Sequence, residues 1–310
     1  MLHNRPRSLQ VSRQEWALIA ITALWGGTFL VVHIAVTYSG PWFFVGLRFL
    51  VAGVISAVIF HKALRRMTRA DVLAGAAIGV TIYLGYGLQT VGLQTIDSSM
   101  SAFITAFYVP LVPLLQWIIL RRAPRAMTLV GVALAFVGLI LIAGPSASGI
   151  SLGEGELLTI LSTVAIAAEI VLISLFAGRV SLARVTVVQL LVASLLAFTT
   201  MPAVGEALPE FSWVWLVCGV SLGAASCLIQ LTMNWAQRSV SPTRATVIYA
   251  AEPVWAGIIG RIAGERLGPL ALLGAAFIVA GMLVSEITPR RQQRPTSDPA
   301  EEVSTPSGRD

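Results

Sequence analysis

Long apolar blocks, each closed by a short polar or charged turn, make up most of this chain. A helix needs roughly 20 predominantly apolar residues, within a range of about 17–25, to cross a bilayer. Ten blocks reach that length, near residues 16–36, 42–60, 71–91, 98–120, 126–143, 156–177, 184–202, 212–235, 243–261 and 269–287. The pattern predicts an all-α integral membrane protein with ten transmembrane helices. The turns between blocks are too short to hold a folded soluble domain. Residues 289–310, rich in Pro, Ser, Thr and charge, are expected to form a disordered tail.

The blocks also repeat. Moved back by 143 positions, Gln237, Ala245, Pro253, Leu272, Gly274, Ala276 and Gly281 fall on Gln94, Ala102, Pro110, Leu129, Gly131, Ala133 and Gly138. At an offset of 141, Leu50-Val51-Ala52 pairs with Leu191-Val192-Ala193, and Glu15 with Glu156. A fixed long period argues duplication. The expected units are residues 13–144 and 154–288, five spans each, followed by the tail at 289–310.

Composition agrees with the pattern. Of 310 residues 56% are hydrophobic and 12% charged, against about 25% charge in soluble domains. The net charge of +6 sits at block ends and not in a patch, so nucleic acid is not an expected partner. With the N-terminus taken as cytoplasmic, seventeen Lys and Arg residues flank the cytoplasmic ends, and only Arg261 and Arg266 flank the other side. Cationic residues favour the cytoplasmic side, so both termini are expected there. Five spans per half is an odd number, so the second half enters the membrane inverted. Inverted repeats are characteristic of secondary transporters, whose substrate site lies near the midplane between the repeats.

Other classes find little support. The chain has no HExxH, no GxSxG, no phosphate-binding loop and no Cys/His cluster, and its three histidines, His3, His33 and His61, lie at or outside block ends. Neither a metal, a cofactor nor an enzymatic activity is expected. Cys218 and Cys227 share one block, nine residues apart, and cannot close a disulfide within a helix. The Arg-rich start runs into a full-length span without the form of a cleavable signal.

Glu252-Pro253, then Gly264-Glu265, then Gly274 and Gly281 in the last block form an ordered set; so do Leu24-Trp25-Gly26-Gly27 in the first block and GLQTIDSSMSAFITAFYVPLVPLL in the third to fourth. This set resembles the EamA-type transporters of the drug/metabolite transporter superfamily, over about residues 13 to 288. The resemblance implies ten helices, cytoplasmic termini, and export of small metabolites, often amino acids. Two positions depart from the pattern: Ile166 stands where the sixth span often has Trp, and Arg121-Arg122 replaces Gly-Glu in the first repeat.

Ionisable groups inside a span cost roughly 2.5–3.5 kcal/mol on insertion scales, so they face the bundle interior and suggest function. Glu252 is one, beside Pro253, which removes a backbone donor and clashes with the Tyr249 carbonyl. Glu169, in IAAEIVLI, is another. Burial without a partner disfavours a charged carboxylate, the condition a proton-coupling group needs. The structural alternative is, for Glu252, a carboxylate bonded to a neighbouring helix and, for Glu169, a protonated carboxyl group bonded to a backbone carbonyl. Arg48, shallow in the second span, is expected to snorkel to the interface, and His33 to be a solvated helix end. Polar stripes mark a cavity wall: Tyr83, Tyr86 and Thr90 in span three, Ser226, Gln230, Asn234 and Gln237 in span eight, Ser101, Thr105 and Tyr108 in span four, Trp25 and Thr28 in span one. Spans three and eight hold equivalent places, so their polar faces are expected to meet across one cavity; interhelical glue is the competing reading. The expected substrate-binding set is Trp25, Thr28, Tyr83, Tyr86, Thr90, Tyr108, Gln230, Asn234 and Tyr249. The expected coupling or gating set is Glu169, Glu252 and Pro253.

The function this sequence points to is a secondary transporter of a bacterial inner (plasma) membrane. It would export small metabolites, amino acids foremost, by alternating access. Efflux of lipophilic drugs is the second reading, and an intramembrane enzyme or a scaffold the more distant ones. Expected partners are a small-molecule substrate, membrane lipid and, as a candidate coupling ion, the proton, with the chain a monomer or homodimer.

Overall fold

The computed structural model describes residues 12–121, 126–143, 145–146, 149–150 and 152–285. The expected tail at 289–310 lies outside them. The elements are α1 (Arg13–Ala35), α2 (Pro41–Ile59), α3 (His61–Leu64), α4 (Arg69–Gly92), α5 (Ser98–Thr105), α6 (Tyr108–Leu120), α7 (Ala126–Ala143), a two-residue hairpin of β1 (Pro145–Ser146) and β2 (Gly149–Ile150), α8 (Glu154–Phe176), α9 (Leu182–Ala203), α10 (Trp213–Ala236), α11 (Pro242–Tyr249), α12 (Glu252–Ile262) and α13 (Pro269–Ser285). Seven helical stretches are long and apolar enough to cross a membrane, one of them being α5 and α6 together; shorter apolar helices lie at Leu129–Gly138 and Pro269–Gly281. The outside of the bundle is apolar, with Val58, Phe136, Leu195 and Val217 exposed, while Glu169, Gln189, Gln230 and Glu252 are buried. That polarity is the reverse of a soluble protein's and suits a lipid solvent. The chain is an integral membrane protein.

The fourth and ninth apolar blocks are both broken, the ninth beside the proline that the sequence marks. One break falls at Ala106–Phe107 and the other at Ala250–Ala251. The cause is the repeated proline. Pro110 and Pro253 lack the N–H that would bond the carbonyl four residues back, and their rings crowd it. At the first break the Ala106 carbonyl is taken instead by Val109 N–H, three residues on, at 3.0 Å. At the second, Ala251 N–H turns to Ile248 O at 3.2 Å.

Packing follows the duplication. α4 lies on α8 and α9, and its counterpart α10 lies on α1 and α2; α1 packs on α12 as α8 packs on α6. Two pairs of counterparts pack on each other, α7 with α13 and α2 with α9. A Cβ on Gly138 would stand 2.5 Å from the Gly274 carbonyl, and one on Gly281 2.5 Å from the Gly131 carbonyl. Residue 131 therefore faces 281 and 138 faces 274, so α7 and α13 run antiparallel. α2 and α9 do the same: Ser194 Oγ donates to Gly46 O at 2.8 Å, and Gly53 abuts Leu191.

Carboxylates fasten the ends of the bundle. Ser12 and Glu15 form a capping box at the start of α1, and Glu15 pairs with Arg244 next to the start of α11. Thr68 and Asp71 cap α4, and Asp71 also accepts from Ser181 N–H at 2.9 Å and pairs with Arg184 at 2.9 Å. At the opposite end Glu206 accepts from Trp42 N–H (3.1 Å) and Phe43 N–H (2.7 Å) of α2. Glu265 accepts four bonds at the start of α5, from the N–H groups of Ser98 and Ser99 (3.0 Å each) and their hydroxyls (2.6 and 2.5 Å). Gly264, at φ +99°, supplies the left-handed turn that aims Glu265 there. Partial burial alone would raise the Glu265 pKa, but these bonds outweigh it and hold it below the usual carboxylate value.

Candidate functional site

The two proline breaks bring the starts of α6 and α12 together in the middle of the bundle. Tyr108, first residue of α6, donates its hydroxyl to Glu252 Oε2 at 3.2 Å; Glu252 is the first residue of α12 and its Oε1 has no hydrogen-bond partner. α1 lies over this junction. A Cβ on Gly26 would stand 2.7 Å from the Glu252 carbonyl, so only glycine lets α1 come so close. That explains the Trp25-Gly26 pair: Gly26 docks α1, and the indole of Trp25 meets Tyr249 edge to face at 5.6 Å. Tyr249 O–H in turn receives Gln237 Nε2–H at 3.3 Å.

Beside this junction lies a second polar group. Glu169 of α8 is fully buried; its Oε1 accepts from Gln230 Nε2 at 2.8 Å and its Oε2 has no partner. Gln230 Oε1 receives Gln189 Nε2–H at 2.8 Å, and Asn234 Nδ2 donates to Gln189 Oε1 and Thr186 Oγ1 at 3.2 Å each. Three helices, α8, α9 and α10, are thus joined by side-chain amides.

Arg48 departs from its expected place. It does not snorkel; it is 2% exposed. Nε donates to Ser226 Oγ at 2.6 Å, and the guanidinium lies 4.9 Å from the Tyr86 ring centre and 5.5 Å from that of Phe49. Seven residues past Pro41, at about 1.5 Å of rise each, it starts too deep and on the face turned to α4 and α10. His33 is likewise no free helix end: its Nδ1 lies 2.8 Å from Leu93 O at the end of α4.

Of the residues singled out in the sequence, Trp25, Tyr86, Tyr108 and Tyr249 belong to one contiguous buried cluster, and Glu169, Gln230, Asn234, Glu252 and Pro253 are buried as well. Tyr83 is only partly buried and packs against the edge of that cluster, its hydroxyl 2.6 Å from Thr200 Oγ1 and its ring on Trp42. Thr28 bonds the Trp25 carbonyl of its own helix at 2.7 Å, and Thr90 is buried in α4, a turn beyond Tyr86. The expected meeting of span three with span eight takes another form. α4 packs chiefly on α8 and α9, and Gln230 and Asn234 bond to α8 and α9, so the amides act between helices. Gln189, Ser226 and Arg48 are the partners the sequence left unpaired.

A buried acceptor left unmade costs about 1–3 kcal/mol, more when charged. Two carboxyl oxygens in that condition lie among phenols, amides and a guanidinium.

Comparison with known proteins identifies the family. Residues 14–144 and 153–286 each match the EamA-like transporter family. An "Uncharacterized transporter" of Archaeoglobus fulgidus is 29% identical over 277 residues, 87% of this chain and 84% of that protein. The "Uncharacterized inner membrane transporter YedA" of Escherichia coli strain K12 is 28% identical over 280 residues, 86% and 89% of the two chains. One solved crystal structure superposes with a TM-score of 0.66 over 92% of this chain and 100% of the other at 17% identity, a likeness of fold. Two family matches that together span nearly the whole chain, on a lipid-suited bundle with a polar centre, make this chain a member of the EamA-like transporter family.

Proposed function

We propose that the chain is a secondary transporter that exports small metabolites, amino acids foremost, across the inner (plasma) membrane by alternating access. The observation that carries this reading is the pair of buried carboxyl groups, Glu169 and Glu252, each with one unpartnered oxygen. Each of the two comes from a different helix of the second half, and the helices packed on those two, α4, α5 and α6 on α8 and α1 and α5 on α12, come from the first. In this reading α7, α13 and the α11–α12 pair also cross the membrane, completing ten spans in two inverted halves. The breaks in α5–α6 and α11–α12 provide polar backbone at the midplane.

The site suits an amphipathic solute. Trp25, Tyr86, Tyr108 and Tyr249 offer aromatic walls, while Glu252, Glu169 and Gln230 offer acceptors and a donor for a polar head. The aromatic walls alone favour the second reading, efflux of lipophilic compounds. The proton is the coupling ion most consistent with two buried carboxyl groups, and an uncoupled uniporter is the alternative. The orientation proposed puts the end bearing Arg13, Arg65, Arg184 and Arg244 in the cytoplasm. The other end, held by Glu206 and Glu265, is then the outer gate, shut in this state. The test is a thermal-shift screen of the purified protein against amino acids and related metabolites. A midpoint raised by an amino acid in wild type and not in Tyr108→Phe/Glu252→Gln supports the reading. Stabilisation by lipophilic cations alone favours the second.

A further inference from the structure

At the end of the bundle held by Glu206 and Glu265, a groove of about 790 Å³ opens between α5, α12 and the start of α13. Its walls are apolar, and its rim carries Arg261, Arg266 and Glu265. Charge makes this groove unusual. Among the described residues Arg261 and Arg266 are the only Lys or Arg at this end, which otherwise carries Asp97, Glu154, Glu156, Glu206, Glu210 and Glu265. Neither guanidinium has an ion pair or hydrogen bond among the described residues, because the nearby carboxylate of Glu265 is turned to Ser98 and Ser99. Both cations of this face thus converge, unneutralised, on one apolar groove.

We propose that this groove binds an anionic phospholipid. Its phosphodiester would lie on Arg261 and Arg266, and an acyl chain would run along Phe103, Val254, Ile258 and Leu272. The chemistry matches at both ends. A guanidinium donates paired N–H bonds to phosphate oxygens. Arg261 sits in the last turn of α12, at the depth where a long cationic side chain reaches the headgroup layer. Exposed Val254 and Ile258 are one turn apart on the same helix face, so they give an acyl chain a continuous apolar track below the arginines. A bound lipid there would brace α12, whose other end carries Glu252, against α5 and α13.

The experiment uses the full chain, delipidated in a neutral detergent. Thermal unfolding is followed with added dioleoyl phosphatidylglycerol, dioleoyl phosphatidylcholine or soluble glycerol phosphate. The variants are Arg261→Gln/Arg266→Gln, Val254→Trp, which obstructs the acyl track and keeps both charges, and Arg65→Gln/Arg66→Gln at the arginine-rich end. Phosphatidylglycerol should raise the wild-type midpoint by about 3 °C more than phosphatidylcholine. That difference should vanish in Arg261→Gln/Arg266→Gln, shrink in Val254→Trp and persist in Arg65→Gln/Arg66→Gln. A phosphatidylglycerol with a photoactivatable acyl chain should label peptides of α12. Equal shifts with the two lipids would overturn the proposal, as would a full effect in both groove variants. An equal response to glycerol phosphate would make this a free-anion site instead. Labelling confined to the arginine-rich end would place the lipid there and refute the groove.

Discussion

At the scale of the residue, different neighbours hold Glu169 and Glu252, and the proposed function gives the two different roles. Glu169 is tied through Gln230 to a chain of amides reaching Gln189 and Asn234. Glu252 meets a phenol at a helix break. Glu169→Gln keeps the size and the link to Gln230. It should preserve substrate exchange in proteoliposomes while removing dependence on an imposed pH gradient. Glu252 stands at the helix break, and Glu252→Gln should impair exchange and net transport together. Identical behaviour of the two variants would contradict this division of roles. Both carboxyl groups were legible in the sequence, since each stands alone in apolar surroundings. Arg48 was not: counted from the end of its block it read as shallow, and its partner Ser226 lies 178 residues away.

At the scale of the element, the readable signals were those with local causes. Ser12-x-x-Glu15 and Thr68-x-x-Asp71 are capping boxes, and Pro110 and Pro253 explain the two breaks. The break beside Pro253 was legible from the proline itself, while the one before Pro110 was not drawn, because hydropathy does not register a lost backbone bond. Gly264-Glu265 was visible only as a motif, and its task emerged from contact with Ser98 and Ser99. That contact predicts a pH dependence. A carboxylate held below its ordinary pKa of about 4.3 contributes stability that is fully present above that value and is lost as pH falls through the folded pKa. Glu265→Gln should therefore lower the unfolding midpoint at pH 7, with the gap from wild type closing as pH drops below 4. A gap constant across pH would mean the bonds do not depend on the charge. The α7–α13 crossing gives a steric prediction. Gly281→Ala puts a Cβ 2.5 Å from the Gly131 carbonyl and should destabilise by about 1–3 kcal/mol. Gly268→Ala, with nothing within 4 Å, should unfold at nearly the wild-type temperature.

At the scale of the whole molecule, one duplication accounts for the largest share of the architecture. The offset of 143 residues, found by aligning the chain with itself, returns as matched breaks and as α7 lying antiparallel on α13. Which helices pack across the halves was not legible, because an apolar block does not record which of its faces meets lipid and which meets protein. The central claim is that a solute bound between the halves is carried across the membrane, and counterflow in proteoliposomes tests it most directly. Vesicles preloaded with unlabelled amino acids and diluted into trace labelled amino acid should take up label transiently, well above protein-free vesicles, and Glu252→Gln should abolish the overshoot. If folded wild-type protein, verified by a cooperative unfolding transition in the same preparation, gives no counterflow with any amino acid of the panel, the amino-acid exporter reading is contradicted.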